Sequence, residues 1–270
     1  MPTERFMSSK HKYKNLLWTA KDGYNYDISK PAEWDGLKFM TDCDAFHFSI
    51  SHGSQQPYWQ GRYPRDSEWN IITTYVKETK RNKTFLDIGG HIGTMAIPFS
   101  KVYNKVCSFE PCTTNYSLLL ENITLNNVNN IDTQNVAISD HKSKVNVFRH
   151  DEHNSGCYAI QDDINGEVEC VTLDSLGLTD IDFIKIDVQG SEMNVIRGAL
   201  ETIKRYKPLL MIEASNEKQD FVADKDIIVE FLSGLGYNMY HDNGADIFMC
   251  QEDISYRNEK TFRDGKFYVE

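Results

Sequence analysis

The sequence contains no apolar run that approaches the roughly 20 residues of a membrane-spanning helix. Its six cysteines, at positions 43, 107, 112, 157, 170 and 250, form no CxxC pair, which is typical of reduced thiols and excludes the usual zinc-ligand spacing. The first residues, Met-Pro-Thr-Glu-Arg-Phe-Met, lack the apolar core of a secretory signal. We therefore expect a cytoplasmic protein without a membrane span.

An excess of basic residues is also missing. Forty Asp and Glu residues outnumber 29 Lys and Arg residues, and the formal net charge is −11. This charge argues against general binding to nucleic acid, because phosphates repel an acidic surface. A chain of 270 residues can bury a substantial core, and it fits one large domain or one domain with an appendage.

Composition divides the chain into three parts. Residues 1–66 are irregular, aromatic and mixed in charge, and they predict an N-terminal extension. Residues 67–252 alternate between strand-like and helix-like apolar patterns, and they predict the main domain. Residues 253–270 are then expected to be a C-terminal tail that packs on this domain.

The stretch Thr84-Phe-Leu-Asp-Ile-Gly-Gly-His-Ile-Gly93 joins a predicted strand to a predicted helix. The apolar residues before position 89 indicate a short buried strand, and the run 95–102 indicates a helix in which Pro98 predicts a late start or a kink. The glycines leave room for a ligand at the backbone and tolerate positive φ. This order predicts a site for an adenosine-bearing cofactor, and a tight turn without a ligand is the alternative.

The spacing of this turn indicates which cofactor. A dinucleotide turn, G-x-G-x-x-G, needs glycine where Ile88 stands, which weighs against an NAD-dependent oxidoreductase. Such a turn also brings a pyrophosphate to the helix N-terminus, where the carboxylate of Asp87 would repel it. A cationic ligand fits better next to Asp87. S-adenosylmethionine, which carries an ammonium and a sulfonium group, meets this condition.

The alternation of segments predicts an α/β fold with a mostly parallel sheet and helices on both faces. Helices are predicted to begin near Ser67, Thr113 and Ile227, and another is predicted after a cap at Ser191. Segments 144–148 and 167–172 indicate an inserted ribbon, with residues 151–166 as its polar loop. The predicted strands of the main sheet are 85–88, 105–110, 130–138, 181–187, 208–213 and an antiparallel hairpin of 237–240 with 247–250.

The predicted parallel strands end in acidic or amide residues. Asp87, Glu110, Asp187 and Glu213 lie at or near four of these ends, and Asn135 lies near a fifth. Glu110 follows Asp87 by 23 residues, close to the roughly 20-residue spacing at which a carboxylate accepts the ribose hydroxyls of a nucleotide. The carboxyl ends of parallel strands meet at one edge of a sheet, so we expect these groups to surround one ligand.

Four motifs carry a resemblance to a known family. They are Phe85-Leu-Asp-Ile-Gly-Gly-His-Ile-Gly93, Phe109-Glu-Pro-Cys-Thr-Thr-Asn115, Val171-Thr-Leu-Asp-Ser175 and Ile184-Lys-Ile-Asp-Val-Gln-Gly-Ser-Glu192. In this order they resemble the FkbM family of S-adenosylmethionine-dependent methyltransferases, over roughly residues 66 to 240. The resemblance implies the Rossmann-like class I methyltransferase fold, with a seven-stranded sheet. It also implies O-methylation, often of a hydroxyl on a sugar or polyketide.

The resemblance also implies roles for individual residues. The methionine portion of the cofactor would lie on Asp87 and on the turn of Gly89, Gly90 and Gly93. Glu110 would hold the ribose, beside a turn shaped by Pro111 and Asn115. The segment from Asn135 to Ala137 would flank the adenine, and Glu68 would lie near the cofactor mouth. Gly90-His91 stands where the family commonly has alanine-asparagine, and Gln189 stands where glutamate is usual.

Methyl transfer to a hydroxyl requires loss of a proton, so a base or a metal ion should assist it. The candidates for the catalytic base are Asp187, Glu213 and His91. A divalent ion held by Asp187 and a neighbouring oxygen is a further option. We expect Glu192 to favour a helix start through its charge, and Lys185 to be an ion-pair partner.

The acceptor is predicted to be a small molecule or a glycan. The extension contains His47 and His52 among aromatic and basic residues, a mixture that suits a cap over a sugar but equally suits core packing. Two alternatives remain at this point: methylation of a polyketide, lipid or peptide, and a non-catalytic methyltransferase-like binding domain. A homo-oligomer is also compatible with the sequence.

Overall fold

The computed structural model describes residues 30–34, 36–41, 66–149, 156–215, 222–252, 261–263 and 266–268. The helices are α1 Asp66–Thr79, α2 Ala96–Phe99, α3 Thr113–Leu125, α4 Glu192–Gly198, α5 Leu200–Tyr206 and α6 Lys225–Ser233, with a 3-10 helix at Leu173–Leu176. The strands are β1 Ala32–Trp34, β2 Leu37–Phe39, β3 Thr84–Ile88, β4 Lys105–Phe109, β5 Ile131–Gln134, β6 Ala137–Ile138, β7 Ser143–Arg149, β8 Tyr158–Asp162, β9 Val168–Val171, β10 Ile181–Ile186, β11 Leu209–Ser215, β12 Ala223–Asp224, β13 Asn238–Asp242, β14 Asp246–Cys250, β15 Thr261–Arg263 and β16 Lys266–Tyr268.

The main sheet has the strand order β13-β14-β11-β10-β3-β4-β5. The five strands from β11 to β5 run parallel to one another, and the hairpin of β13 and β14 joins them antiparallel at β11. The short strand β12 also pairs with β11. The predicted class I methyltransferase fold, with its antiparallel hairpin at the end of the chain's alternating region, is therefore confirmed.

The centre of the sheet is buried on both faces. Every residue of β3 and β10 is buried, as expected for parallel strands with helices on each side. One face packs against α4, α5 and α6, and the other packs against α1 and α2. On the second face the rings of Phe85 and Phe183 stack with centroids 4.5 Å apart, which joins β3 to β10.

Several predicted helices differ in length from the structure. The run 95–102 forms only the four-residue helix α2, which ends at Phe99. Pro98 fits there because the first N–H groups of a helix have no partner within it. The predicted helix after Ser191 divides into α4 and α5 at Ala199, and the side chain of Ser191 makes no capping hydrogen bond.

The predicted strand 130–138 is also interrupted. Residues up to Gln134 join the main sheet as β5, whereas β6 pairs with β9 in a separate four-stranded sheet of order β6-β9-β7-β8. This second sheet contains the predicted ribbon, but the predicted polar loop 151–166 also contributes strand β8. The sequence does not predict β8 because the apolar pattern of Tyr158-Ala-Ile160 is only three residues long, too short to indicate a strand.

Part of the N-terminal extension is ordered against the main domain. The hairpin of β1 and β2 packs with Ile92, Ile97 and Leu118 in a small apolar cluster. Asn122 of α3 accepts a hydrogen bond from the backbone N–H of Met40 at 2.6 Å and donates to the Met40 carbonyl at 3.1 Å. The predicted cap residues His47 and His52 lie outside the described residues.

No helix in the described part of the chain has the length and apolarity to cross a membrane.

The glycine turn after β3 lies against two neighbouring strands. The N–H groups of Gly89 and Gly90 both donate to the carbonyl oxygen of Phe109 at 3.0 Å. Gly89 has φ +81, and a Cβ at this position would lie 1.8 Å from the carbonyl oxygen of Asp187. Only glycine allows the ends of β3 and β10 to approach this closely.

Replacement of Gly89 by alanine should therefore lower the free energy of unfolding by about 3 kcal/mol or more, through backbone strain and overpacking. Gly177→Ala is the matched control, because Gly177 has φ +61 but nothing within 4 Å of an added Cβ. The Gly177→Ala variant should lose only about 1 kcal/mol of the free energy of unfolding. Urea denaturation of both variants measures the difference, and equal losses would contradict this account of the turn.

Candidate functional site

A cavity of about 260 Å³ lies at the carboxyl ends of β3, β4, β10 and β11. The structure brings nine of the thirteen predicted site residues to its wall: Glu68, Gly89, His91, Glu110, Pro111, Asn115, Ala137, Asp187 and Glu213. The other four, Asp87, Gly90, Gly93 and Asn135, are not among the lining residues. The cavity is where the parallel strands predict it, at the edge of the sheet where their carboxyl ends meet.

Glu110 is a buried carboxyl group held by two backbone N–H groups. Its Oε2 accepts from His91 N at 2.7 Å, and its Oε1 accepts from Cys112 N at 2.8 Å. Burial raises the pKa of Glu110 to about 7, although both backbone hydrogen bonds act in the opposite direction. Each carboxylate oxygen can accept a second hydrogen bond, so a fixed pair of acceptors faces the cavity.

Asn135 acts on the backbone beside Glu110 and does not line the cavity. Its Nδ2 donates to the carbonyl oxygens of Glu110 at 2.7 Å and Pro111 at 3.0 Å. These bonds explain why the predicted strand 130–138 breaks here. Asn135 therefore supports the turn after β4, and its position beside an adenine stays a prediction. Ala137 lines the apolar wall of the cavity with Val136 and Ile138.

Asp87 lies beneath the glycine turn and is fully buried. The Nζ of Lys185 is 3.5 Å from Asp87 Oδ1, 3.2 Å from Asp187 Oδ2 and 2.8 Å from the carbonyl oxygen of Gly89, to which it donates. Burial raises the pKa of Asp87, and Lys185 opposes this rise. Asp87 therefore contacts the protein's own ammonium group, and its expected contact with a cofactor cation stays a prediction.

Lys185 remains protonated in this position. Burial alone would lower its pKa, but the negative charges of Asp187 and Asp87 outweigh burial and raise it. A lysine with a raised pKa is a poor base, and the ion-pair role expected from the sequence matches the distances.

Asp187 and Glu213 form the other end of the cavity and are joined by Gln189. The Nε2 of Gln189 donates to Asp187 Oδ1 at 3.0 Å and to Glu213 Oε2 at 2.8 Å. Burial, followed by the negative charge of Asp187, raises the pKa of Glu213 to about 10. Burial alone would raise the pKa of Asp187, but Lys185 and the bond from Gln189 outweigh it and lower this pKa. The two carboxyl groups therefore differ in protonation at neutral pH.

His91 and Gly90 show how this turn departs from the family pattern. His91 has φ +50, a left-handed conformation that asparagine and histidine adopt more readily than most residues, so either residue fits this position. A Cβ at Gly90 would lie 2.0 Å from Ser108 Oγ, so the alanine common in the family would require the Ser108 hydroxyl to move.

The second sheet contributes residues that sequence reasoning did not assign to the site. Gly156, Cys157, Tyr158 and Ile160 line the cavity opposite the main sheet. Their segment was predicted to be a polar loop, and only the short Tyr158-Ala-Ile160 pattern could have indicated a strand. Glu68, in the first turn of α1, is buried and lines the cavity, and its position near a cofactor stays a prediction.

The residues at Asp187 do not fit the predicted divalent ion. The described part of the chain contains no group of three or more His, Cys, Asp or Glu side chains that could hold a metal. One oxygen of Asp187 pairs with Lys185, and the other accepts from Gln189. The ammonium group of Lys185, 3.2 Å from Asp187 Oδ2, would repel a divalent ion bound to Asp187. The predicted metal therefore receives no support.

The strand order is that of the class I methyltransferase fold, and the cavity lies at the carboxyl edge of its parallel strands. The FkbM methyltransferase domain family matches residues 87–239, which is more than half of the chain. The chain therefore belongs to the FkbM methyltransferase family, which the sequence motifs link to the cofactor S-adenosylmethionine. The residues at the cavity fit this cofactor, because Glu110 offers two buried acceptors and the glycine turn leaves its backbone exposed to a ligand.

Solved structures of similar fold include other methyltransferases. An FkbM methyltransferase from Methylobacillus flagellatus KT is 17% identical, with 63% of this chain and 44% of that chain covered and a TM-score of 0.43. A SAM-dependent methyltransferase from Aquifex aeolicus is 16% identical, with 66% of this chain and 86% of that chain covered and a TM-score of 0.40. The chain thus spans less than half the length of the first of these. The comparison with curated proteins finds no match.

The shifted pKa of Glu213 predicts how stability depends on pH. A carboxyl group whose pKa rises on folding stabilises the protein below its unfolded pKa, and this contribution is lost as pH rises towards about 10. Glu213→Gln mimics the protonated acid and should be more heat-stable than the native protein at alkaline pH. The difference in melting temperature should widen by about 3 °C or more between about pH 6 and about pH 9.

Thermal unfolding across this range measures the effect. Glu121→Gln, on the exposed surface of α3, is the matched control and should show a constant difference. A difference for Glu213→Gln that does not grow with pH would contradict the assignment of a protonated Glu213.

Proposed function

We propose that this protein transfers a methyl group from S-adenosylmethionine to a hydroxyl group of a carbohydrate. One observation carries the proposal: a single cavity has the paired acceptors of Glu110 at one end and the joined carboxyl groups of Asp187 and Glu213 at the other. The first end suits a ribose, and the second suits a hydroxyl group that must lose a proton.

Glu110 would hold the cofactor through its ribose hydroxyls, with Pro111 and Asn115 beside it. Val136, Ala137 and Ile138 form an apolar wall on the same side of the cavity, which suits an adenine ring. The turn at Gly89 would meet the methionine portion, supported from below by Asp87 and Lys185. When bound, S-adenosylmethionine supplies a methyl group that its sulfonium has already activated.

The pair of Asp187 and Glu213 would accept the proton of the acceptor hydroxyl. We assign this role to the pair because a tightly coupled pair of carboxyl groups titrates as a unit. Gln189 and Lys185 hold both groups in place, so the acceptor oxygen can be oriented before transfer. His91 also lines the cavity and is the second candidate for the base.

The polarity of the acceptor end favours a carbohydrate over a lipid or polyketide. Four polar residues line this end, with Met211 and Val188 as apolar neighbours: Asp187, Gln189, Glu213 and Asp246. Such a wall offers several hydrogen-bond partners to a polyhydroxylated molecule but little apolar surface to an acyl chain.

We expect S-adenosylhomocysteine to raise the melting temperature, and we expect NAD to have no such effect. Glu110→Gln keeps the size of the side chain but removes its charge, and it should weaken binding of S-adenosylhomocysteine by about 100-fold. Glu121→Gln should bind as the native protein does. Isothermal titration measures both variants, and unchanged affinity in Glu110→Gln would place the ribose elsewhere.

Activity is to be measured with nucleotide-sugars and oligosaccharides as acceptors, by mass spectrometry of the methylated product. Asp187→Asn removes the ionised member of the pair, and it should lower kcat by about 100-fold or more while affinity for S-adenosylhomocysteine stays unchanged. Glu213→Gln mimics the protonated acid and should keep most of the activity near neutral pH. A protein that binds the cofactor but methylates only acyl or peptide acceptors would contradict the carbohydrate assignment. If no acceptor of any class is methylated, the non-catalytic alternative is favoured.

A further inference from the structure

We infer that Gln189 is a positioning residue that occupies the place a divalent cation would take between Asp187 and Glu213. The reaction end of the cavity is then organised by a neutral hydrogen-bond donor and not by a metal ion. The inference concerns the same end of the cavity as the proposed function and rests on it for its catalytic meaning, but its structural content can be tested without turnover.

The position of the Gln189 amide carries the inference. A single nitrogen, Nε2, lies 3.0 Å from Asp187 Oδ1 and 2.8 Å from Glu213 Oε2. A primary amide nitrogen has two hydrogens, so it can donate one to each carboxyl group. A divalent cation bridging the same two groups would need the same space between their oxygens, with ligand distances of about 2.0–2.6 Å.

The charges around the amide also disfavour a cation. Lys185 Nζ lies 3.2 Å from the other oxygen of Asp187, and it is buried with only 6% of its surface exposed. A second positive centre on Asp187 would be repelled by this fixed ammonium group at short range and in a desolvated setting. A neutral donor satisfies both carboxyl groups without adding charge.

The backbone of this loop is held in a conformation that presents Gln189 to the two carboxyl groups. Gln189 has φ +57 and Gly190 has φ +95, so two successive residues are left-handed. The fully buried Glu192 supports them, since its Oε1 accepts from Val188 N at 3.0 Å and from Gly190 N at 3.1 Å. A left-handed backbone at a residue other than glycine costs free energy, so the conformation of Gln189 favours a functional reason for its position.

The test is to exchange the amide for a carboxylate. Gln189→Glu has nearly the same shape, but it loses both donors and places a third carboxylate beside Asp187 and Glu213. We expect Mn²⁺ to bind this variant at least about tenfold more tightly than the native protein, because a third hard oxygen ligand is added. Isothermal titration with Mn²⁺ alone measures this, and the double variant Gln189→Glu with Glu213→Gln should lose the gain.

Two further variants complete the test. Gln161→Glu adds the same charge on the exposed strand β8 and should leave Mn²⁺ affinity unchanged. Gln189→Asn tolerates the left-handed backbone, but its amide is one methylene shorter and cannot bridge both carboxyl groups. It should also gain Mn²⁺ affinity, less than Gln189→Glu does, so the test survives if the glutamate variant does not fold.

The outcomes separate this inference from the proposed function. If the native protein binds Mn²⁺ as tightly as Gln189→Glu, or if neither Gln189 variant gains affinity, the inference is overturned. S-adenosylhomocysteine affinity, measured on the same samples, reports on the cofactor site alone. Where an acceptor is found, native activity should resist a chelator, whereas the activity of Gln189→Glu should change when Mn²⁺ is added or removed.

Discussion

The site depends on one buried ammonium group. Lys185 lies on the central strand β10 and contacts Asp87 on the neighbouring strand β3, the carbonyl oxygen of Gly89 in the turn, and Asp187 at the end of its own strand. Its charge balances two carboxylates that burial would otherwise destabilise, and loss of such a partner from a buried pair typically costs about 3–5 kcal/mol. The strand ends, the turn and the cavity wall are therefore held in one arrangement by one side chain.

This arrangement gives the two ends of the cavity different chemistry. At the end of β4, backbone N–H groups hold Glu110 as a fixed pair of acceptors. At the ends of β10 and β11, Lys185 and Gln189 keep Asp187 ionised while burial beside that charge keeps Glu213 protonated. Similar residue types are thus proposed for binding at one end and for proton transfer at the other, because their surroundings differ.

Much of the fold could be predicted from local patterns. Apolar runs located β3, β10 and β11, and acidic residues at their ends predicted a shared edge because parallel strands end together. Contacts between distant residues could not be predicted in this way. The strand break at Asn135 depends on its bonds to Glu110 and Pro111, and the bridge made by Gln189 depends on a partner 24 residues away. The contribution of β8 was missed for the same reason, since its pairing with β7 defines it.

The most direct measurement is a crystal structure of the protein with S-adenosylhomocysteine. The account predicts both ribose hydroxyls within hydrogen-bond distance of the Glu110 carboxylate, the adenine against the wall of Val136 to Ile138, and the sulfur directed towards Asp187 and Glu213. Lys185 and Gln189 should keep their present contacts. A ligand whose ribose does not contact Glu110, or whose sulfur points away from the Asp187 and Glu213 pair, would contradict the proposed methyl transfer at this edge.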